Sequence, residues 1–278
     1  MDSQKIILII KLMKQRIRRY LLKKGIYDYV KYSQLFRLYE RLLKPEVKQA
    51  FQREYQFYQS FLTPCSLIFD IGAYDGHKTD VFLQWADKVV CCEPDPKNFH
   101  TLQVRFRNDK HRVFIENVAV ASVTTIREMF VHHAGSAFNT LNEKFMQVTE
   151  ADQVEKWDEK IQYESKRQVS TTTLNDLIAK YGKPYFIKID VEGYELEVVK
   201  GLSQRVPYLR LECLFPYFAE ELKQSMEWLH QLDPGVHFNI AVQEQLLLSK
   251  FLPFSQMQDY LASFNQHHFE LIVKMKME

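Results

Sequence analysis

The stretch FDIGAYDGHKT, Phe69 to Thr79, decides the fold. It follows the apolar run SLIF, Ser66 to Phe69, and leads into TDVFLQW, whose apolar residues recur at helical spacing, so it reads as strand, tight turn, helix. Working outward, the same alternation repeats. KVVCCEP is a second strand, PKNFHTLQVRF a helix, and VFIENVAV a third strand running into a further one, TIREMFVHH. After a polar stretch from about Ala134 to Arg167, TLNDLIAKYG reads as a helix capped by Thr172 or Thr173 and stopped by Gly182. YFIKID, GYELEVVKGL, YLRLECLF and AEELKQSMEWLHQL continue strand, helix, strand, helix. HFNIAVQ, FSQMQDYLASF and HFELIVKM add two edge strands around a last helix. This order predicts an α/β fold with a largely parallel sheet.

Composition sets the frame. A chain of 278 residues with 46% hydrophobic content buries a full core, most naturally as one large domain with an appendage. Cys65, Cys91, Cys92 and Cys213 show neither metal-ligand spacing nor a disulfide framework, which fits a reducing compartment. The run IILII ends at Lys11, too short for a secretory segment or a bilayer span, so the expected location is cytoplasmic. Charge is uneven. Residues 1–60 hold 14 Lys and Arg against 5 Asp and Glu, a net of +9, and the remainder nets −7. The expected division is a basic helical extension over 1–60 and a catalytic domain over 61–278.

In an open parallel sheet ligands bind beyond the carboxyl ends of the strands, and glycines in the first turn bring the backbone close to them. Gly72 and Gly76 are placed for this, and Glu93, at the end of strand two, is placed to accept hydrogen bonds from ribose hydroxyls. The pairing points to a nucleoside-containing ligand. A dinucleotide turn wants G-x-G-x-x-G, whereas here three residues separate two glycines and Asp70 projects into the site. That spacing weakens the alternative of a nicotinamide-dependent oxidoreductase. An acid there suits a cation, such as the sulfonium and amino group of S-adenosylmethionine.

FDIGAYDGHKT resembles motif I of the class I S-adenosylmethionine-dependent methyltransferases. Together with CCEPDP, ENVAVAS and above all FIKIDVEGYELEVVKGL, it resembles the FkbM-type methyltransferase family over about Leu67 to Cys213. The resemblance implies a Rossmann-like fold with a seven-stranded, mostly parallel sheet and an antiparallel last strand. It also implies S-adenosyl-L-methionine as cofactor and methyl transfer to a hydroxyl of a sugar, glycan or other small molecule. Carried over residue by residue, Asp70, Gly72, Ala73, Tyr74, Gly76 and Thr79 form the turn under the methionine part. Glu93 and Pro94 take the ribose, Asn117 and Val118 lie beside the adenine, and Asp190 and Glu192 face the methyl group and the acceptor. Departures are Tyr74 and His77 at variable positions, and HHAGSAFNTL, which only loosely matches the family's serine-containing stretch.

Methyl transfer from an activated sulfonium asks chiefly for alignment, worth about 7 to 11 kcal/mol in intramolecular precedents. A base adds about a hundredfold to ten-thousandfold for a hydroxyl acceptor. The candidates are Asp190, Glu192, His77, His132 and His133. No metal-ligand motif is present and none is expected, although Asp190 and Glu192 leave a magnesium-assisted variant open. A binding module without turnover is a second alternative. The net acidic catalytic part argues against nucleic acid as partner.

In the extension, Ile6, Ile9, Ile10, Met13, Ile17, Tyr20 and Leu21 share one helical face, away from Lys11, Arg18, Arg19 and Lys23. The favoured expectation is that this stripe packs on the catalytic domain or a second subunit. The alternative is peripheral attachment to an anionic membrane.

Overall fold

The structure, a computed structural model, describes residues 3–33, 35–36, 39, 43–151 and 160–276. Its spine is a parallel run of β1 (Cys65–Ile71), β2 (Ala86–Cys92), β3 (Val113–Glu116), β7 (Phe186–Ile189) and β8 (Tyr208–Leu214). On the far edge lie β9 (His237–Val242) and β12 (His268–Lys274). The spatial order is β3-β2-β1-β7-β8-β12-β9, with β12 antiparallel to both neighbours. These are the seven strands and the antiparallel last strand expected. Two short strands, β10 (Gln245–Leu246) and β11 (Leu252–Pro253), extend the β9 edge.

Helices cover both faces because successive strand residues alternate sides. Leu67, Phe69, Ile71, Ile187, Ile189, Leu209 and Leu211 pack with α7 (Leu174–Tyr181), α8 (Glu195–Lys200) and α9 (Ala219–Leu232). Ile68, Val89, Cys91, Phe186 and Ile272 pack on the other side with α3 (Pro45–Gln59), α4 (His77–Phe82) and residues Leu102 and Phe106, within and just after α5 (Pro96–Arg105). Local signals fix the ends of these helices. Asp95 caps α5 by accepting from the Lys97 and Asn98 amides, and Thr173 with Asp176 forms a capping box on α7.

The described residues of the polar stretch predicted over 134–167 carry regular elements that its composition does not suggest. The stretch holds α6 (Glu143–Glu150), started by Asn142, and the first residues of β6 (Ser165–Thr172). β6 pairs antiparallel with β5 (Ile126–Val131) and parallel with β4 (Ala119–Val120), making a three-stranded annex. The single strand read from VFIENVAV is therefore two, β3 in the main sheet and β4 in the annex.

The basic extension contributes α1 (Ser3–Lys23), α2 (Tyr27–Lys31) and α3. Helix α3 ends just before the division expected near residue 60, yet its Phe57 and Tyr58, like Phe61 and Leu62 beyond it, are buried in the main core. The expected stripe of α1 behaves otherwise. Met13, Ile17 and Tyr20 are exposed and do not pack on the catalytic domain, which leaves the second-subunit half of the favoured expectation, while the side chains of Ile6, Ile9 and Ile10 lie outside the described residues. Among the described residues, no helix is long and apolar enough to cross a membrane.

One buried ionic cluster joins α3 to the sheet. Arg210 on β8 donates to the Tyr58 hydroxyl and to Glu270 on β12, and all three residues are buried. Arg210→Met is expected to cost about 3–5 kcal/mol, because it strands a buried carboxylate, and adding Glu270→Leu should recover most of that loss. Urea midpoints of the two variants check this.

Candidate active site

At the carboxyl ends of β1, β2 and β7 lies a cavity of about 360 Å³. Of the residues expected there, Gly72, Ala73, Tyr74, His77, Glu93, Pro94, Val118, Asp190 and Glu192 line it. Asp70, Gly76, Thr79 and Asn117 are not among its lining residues.

Asp70 shares the strand face of Ile68 and is fully buried. Thr79 Oγ1 donates to Asp70 Oδ2 at 2.6 Å, and Lys188 Nζ lies 3.5 Å from Oδ1. This carboxylate braces the turn from beneath instead of projecting into the cavity. Burial pushes its pKa up against the pull of Lys188. Gly72 is required for a reason other than ligand approach. At φ +73° a Cβ there would fall 1.8 Å from the Asp190 carbonyl oxygen, so glycine lets the ends of β1 and β7 touch. Gly76 likewise leaves room for the Phe106 ring and Leu102 while starting α4. The Asn117 amide donates to the carbonyls of Glu93 and Pro94 at 2.9 and 3.1 Å, bracing the turn after β2.

Glu93, just past the end of β2, lines the cavity. Its two oxygens accept from the backbone amides of Tyr74 and Asp95, both at 2.9 Å. Burial nevertheless raises its pKa to about 7, against the opposing pull of those two bonds. Tyr74 takes a left-handed conformation, φ 49°, to aim its amide at Glu93. Val118 and Leu141, with buried Met129, form an apolar wall.

The acidic turn after β7 borders the cavity through Asp190, Val191 and Glu192. Lys188, buried in β7, donates to the Gly72 carbonyl at 2.7 Å and lies 3.3 Å from Asp190 Oδ2. Burial disfavours a charged carboxylate at Asp190, but Lys188 overcomes this and holds its pKa down to about 2. Glu195 accepts from the amides of Val191 and Gly193 at 3.0 and 3.3 Å and shapes the turn. Glu192, at φ 57°, is displaced from its strand geometry. Burial, with Glu212 and Asp190 close by, pushes its pKa well above the usual carboxylate range. One oxygen each of Asp190, Glu192 and Glu212 lie within 4.8 Å of one another.

The histidine candidates fare differently. His77 Nε2 lies 2.8 Å from Glu54 Oε1, and that bond raises its pKa. That contact engages the Nε2 nitrogen with Glu54. His132 and His133 are outside the cavity lining, His132 Nδ1 meeting the Gln162 carbonyl at 2.6 Å. The segment after them does contribute, through Ser136, Ala137, Asn139 and Leu141. It is fixed by Asn139 to Asp95 at 3.0 Å and by Thr140 to the Glu192 carbonyl at 2.7 Å.

Sequence reasoning missed Lys188 and Glu212. The K-I-D spacing already put Lys188 on the Asp190 side of the strand, but Glu212 arrives only through the strand order that sets β8 beside β7.

The chain matches the methyltransferase FkbM domain over residues 70–233, more than half of its length, and belongs to that family. It is an S-adenosylmethionine-dependent methyltransferase, with S-adenosyl-L-methionine as cofactor. No curated protein matches it significantly. Similar solved structures include a precorrin-6y C5,15-methyltransferase of Geobacter metallireducens, at 10% identity and TM-score 0.43, covering 81% of this chain and 87% of that one. An rRNA methylase of Streptococcus thermophilus has 9% identity and TM-score 0.42, over 80% and 94%. TrmK of M. capricolum in complex with S-adenosylhomocysteine has 11% identity and TM-score 0.39, over 81% and 68%.

Glu93→Ala is expected to weaken S-adenosylhomocysteine binding about tenfold to a hundredfold, the worth of one charge-assisted acceptor. In the parent protein the affinity should fall as pH drops through about 7, where Glu93 takes up its proton and loses its charge. Calorimetry across that range checks both, and a flat profile would remove Glu93 from the cofactor contacts.

Proposed function

We propose that this methyltransferase acts on a hydroxyl oxygen of a sugar, glycan or other small molecule, with Glu192 as the proton acceptor. The observation that carries the reading is the opposed electrostatics of two carboxylates on one cavity wall. Asp190 is held ionised by Lys188, and Glu192 is made more basic by burial beside Glu212 and Asp190. Two carboxylates pushed apart in this way divide the labour of charge stabilisation and proton transfer.

S-adenosylmethionine supplies, when bound, a methyl group already activated on a sulfonium. Glu93 would hold the ribose through the lone pairs left free by its two amide bonds, and Val118 with Leu141 would flank the base. Asp190 would lie nearest the positive charge. Lys188 fixes its orientation, so the negative charge needs no rearrangement at the moment of reaction. Glu192 would take the proton of the acceptor hydroxyl, and the closeness of two other carboxylates makes that uptake favourable. The segment through Asn139 and Leu141 closes the wall and limits access of water. The net charge of −7 beyond residue 60 supports an acceptor without a polyphosphate backbone.

Incubation with labelled S-adenosylmethionine and a panel of sugars, glycans and small alcohols tests the reaction, read as gain of one methyl group by mass spectrometry. Glu192→Gln should lower turnover about a hundredfold to ten-thousandfold while leaving cofactor affinity nearly unchanged. Because the Glu192 pKa is raised, its accepting form is lost as pH falls, so parent turnover should climb toward alkaline pH. A variant that keeps parental turnover would exclude Glu192 as the base, and labelling of nitrogen or carbon acceptors alone would exclude the hydroxyl reading.

A further inference from the structure

We infer that α1 is a peripheral anchor for an anionic lipid surface. From Leu12 to Tyr20 every described side chain of this helix is exposed. Met13, Ile17 and Tyr20, at 56%, 55% and 60% exposure, recur at the four- and three-residue steps that put them on one face, and none of the described residues buries them. Arg16, Arg18, Arg19 and Lys23 occupy the flanks and the opposite side and are also exposed. Residues 1–24 carry eight Lys and Arg against one acid.

Charge decides the occupant. A second copy pairing α1 on α1 would bring the same strongly positive helix against this one, so like charges would oppose that pairing. A nucleic acid would answer the charge and leave the apolar stripe in water. An anionic bilayer surface answers both, with the stripe at the headgroup boundary and the guanidinium groups reaching lipid phosphates on either flank. The helix is about 32 Å long at 1.5 Å per residue, enough to lie flat as an anchor.

The anchor is joined to the catalytic part. Arg18 stacks over the Tyr27 ring at the elbow between α1 and α2. Beyond the elbow, Asp28 pairs with Lys97 at 3.3 Å, and the Tyr32 hydroxyl donates to Asp75 at 3.2 Å. Asp75 is itself on the cavity wall. A lipid-seated α1 therefore keeps the cofactor cavity close to the membrane. The inference does not depend on which acceptor is methylated.

Cosedimentation of the full chain tests it, with vesicles of phosphatidylcholine mixed with phosphatidylglycerol against phosphatidylcholine alone. Retention is expected on the anionic vesicles only and should fall at raised salt. Replacing Arg16, Arg18 and Arg19 by Gln should weaken it by about a hundredfold. Replacing Met13, Ile17 and Tyr20 by Ser should abolish it. Unchanged S-adenosylhomocysteine binding shows that each variant is folded. Failure to bind, equal retention on both vesicle types, or variants that bind like the parent would overturn the inference. Self-association lost in the same variants, with vesicles ignored, would assign the surface to a second copy.

Discussion

The ammonium of Lys188 organises this structure. It is buried at the end of β7, bonds the Gly72 carbonyl, and lies within ion-pair distance of Asp70 and Asp190. Removing a lysine from water is costly unless its charge is answered nearby, and two carboxylates answer it. The arrangement ties the first glycine turn to the acidic turn after β7. Both turns border the cavity, so the site takes its shape from a contact lying mostly behind it. The Gly72–Asp190 approach is possible only because no Cβ intervenes, which makes the glycine and the lysine two parts of one junction.

That junction also divides the acids. Of the four carboxylates around the acidic turn, Asp190 has Lys188 and Glu195 has two backbone amides. Glu212 shares a 2.6 Å contact with His268. Glu192 sits among these neighbours at a left-handed backbone position, where strain and crowding cost stability. The rest of the fold sustains that cost through its packing, and the return is a carboxyl group with a raised affinity for protons on the cavity wall.

The alternation of strands with helices and the glycine turn after the first strand were legible because they rest on local periodicity and turn chemistry, whereas the seven-stranded sheet with its antiparallel last strand was expected only from the resemblance to the family. Glu93 was legible from the turn as well, standing at a fixed distance past it. Less legible were features made by long-range contact. Asp70 reads as a ligand-facing acid, yet strand parity turns it inward toward Thr79 and Lys188. His77 reads as a free imidazole until α3 brings Glu54 against it. SKRQVSTT hides β6 because its first residues are exposed, and no apolar alternation marks where the strand begins. Lysine in a strand is ordinarily assigned to the surface, which is why Lys188 escaped notice.

The buried charges also explain why the strand ends meet in one register. Asp70 is paired opposite Lys188, and Lys188 opposite Arg210, so three charged side chains form a row on one face of the sheet, beside Glu270. A one-residue slip of β7 would swing Lys188 to the face packed by α7, α8 and α9, where leucine, isoleucine and valine offer it no partner. Slippage of β8 would do the same to Arg210. An all-apolar sheet of this kind could be at least as stable, yet it would penalise such slips far less. Since the cavity is assembled from the ends of three strands, its geometry is only as exact as their register. The ion row holds that register, and thereby holds Glu93, Asp190 and Glu192 around the same space.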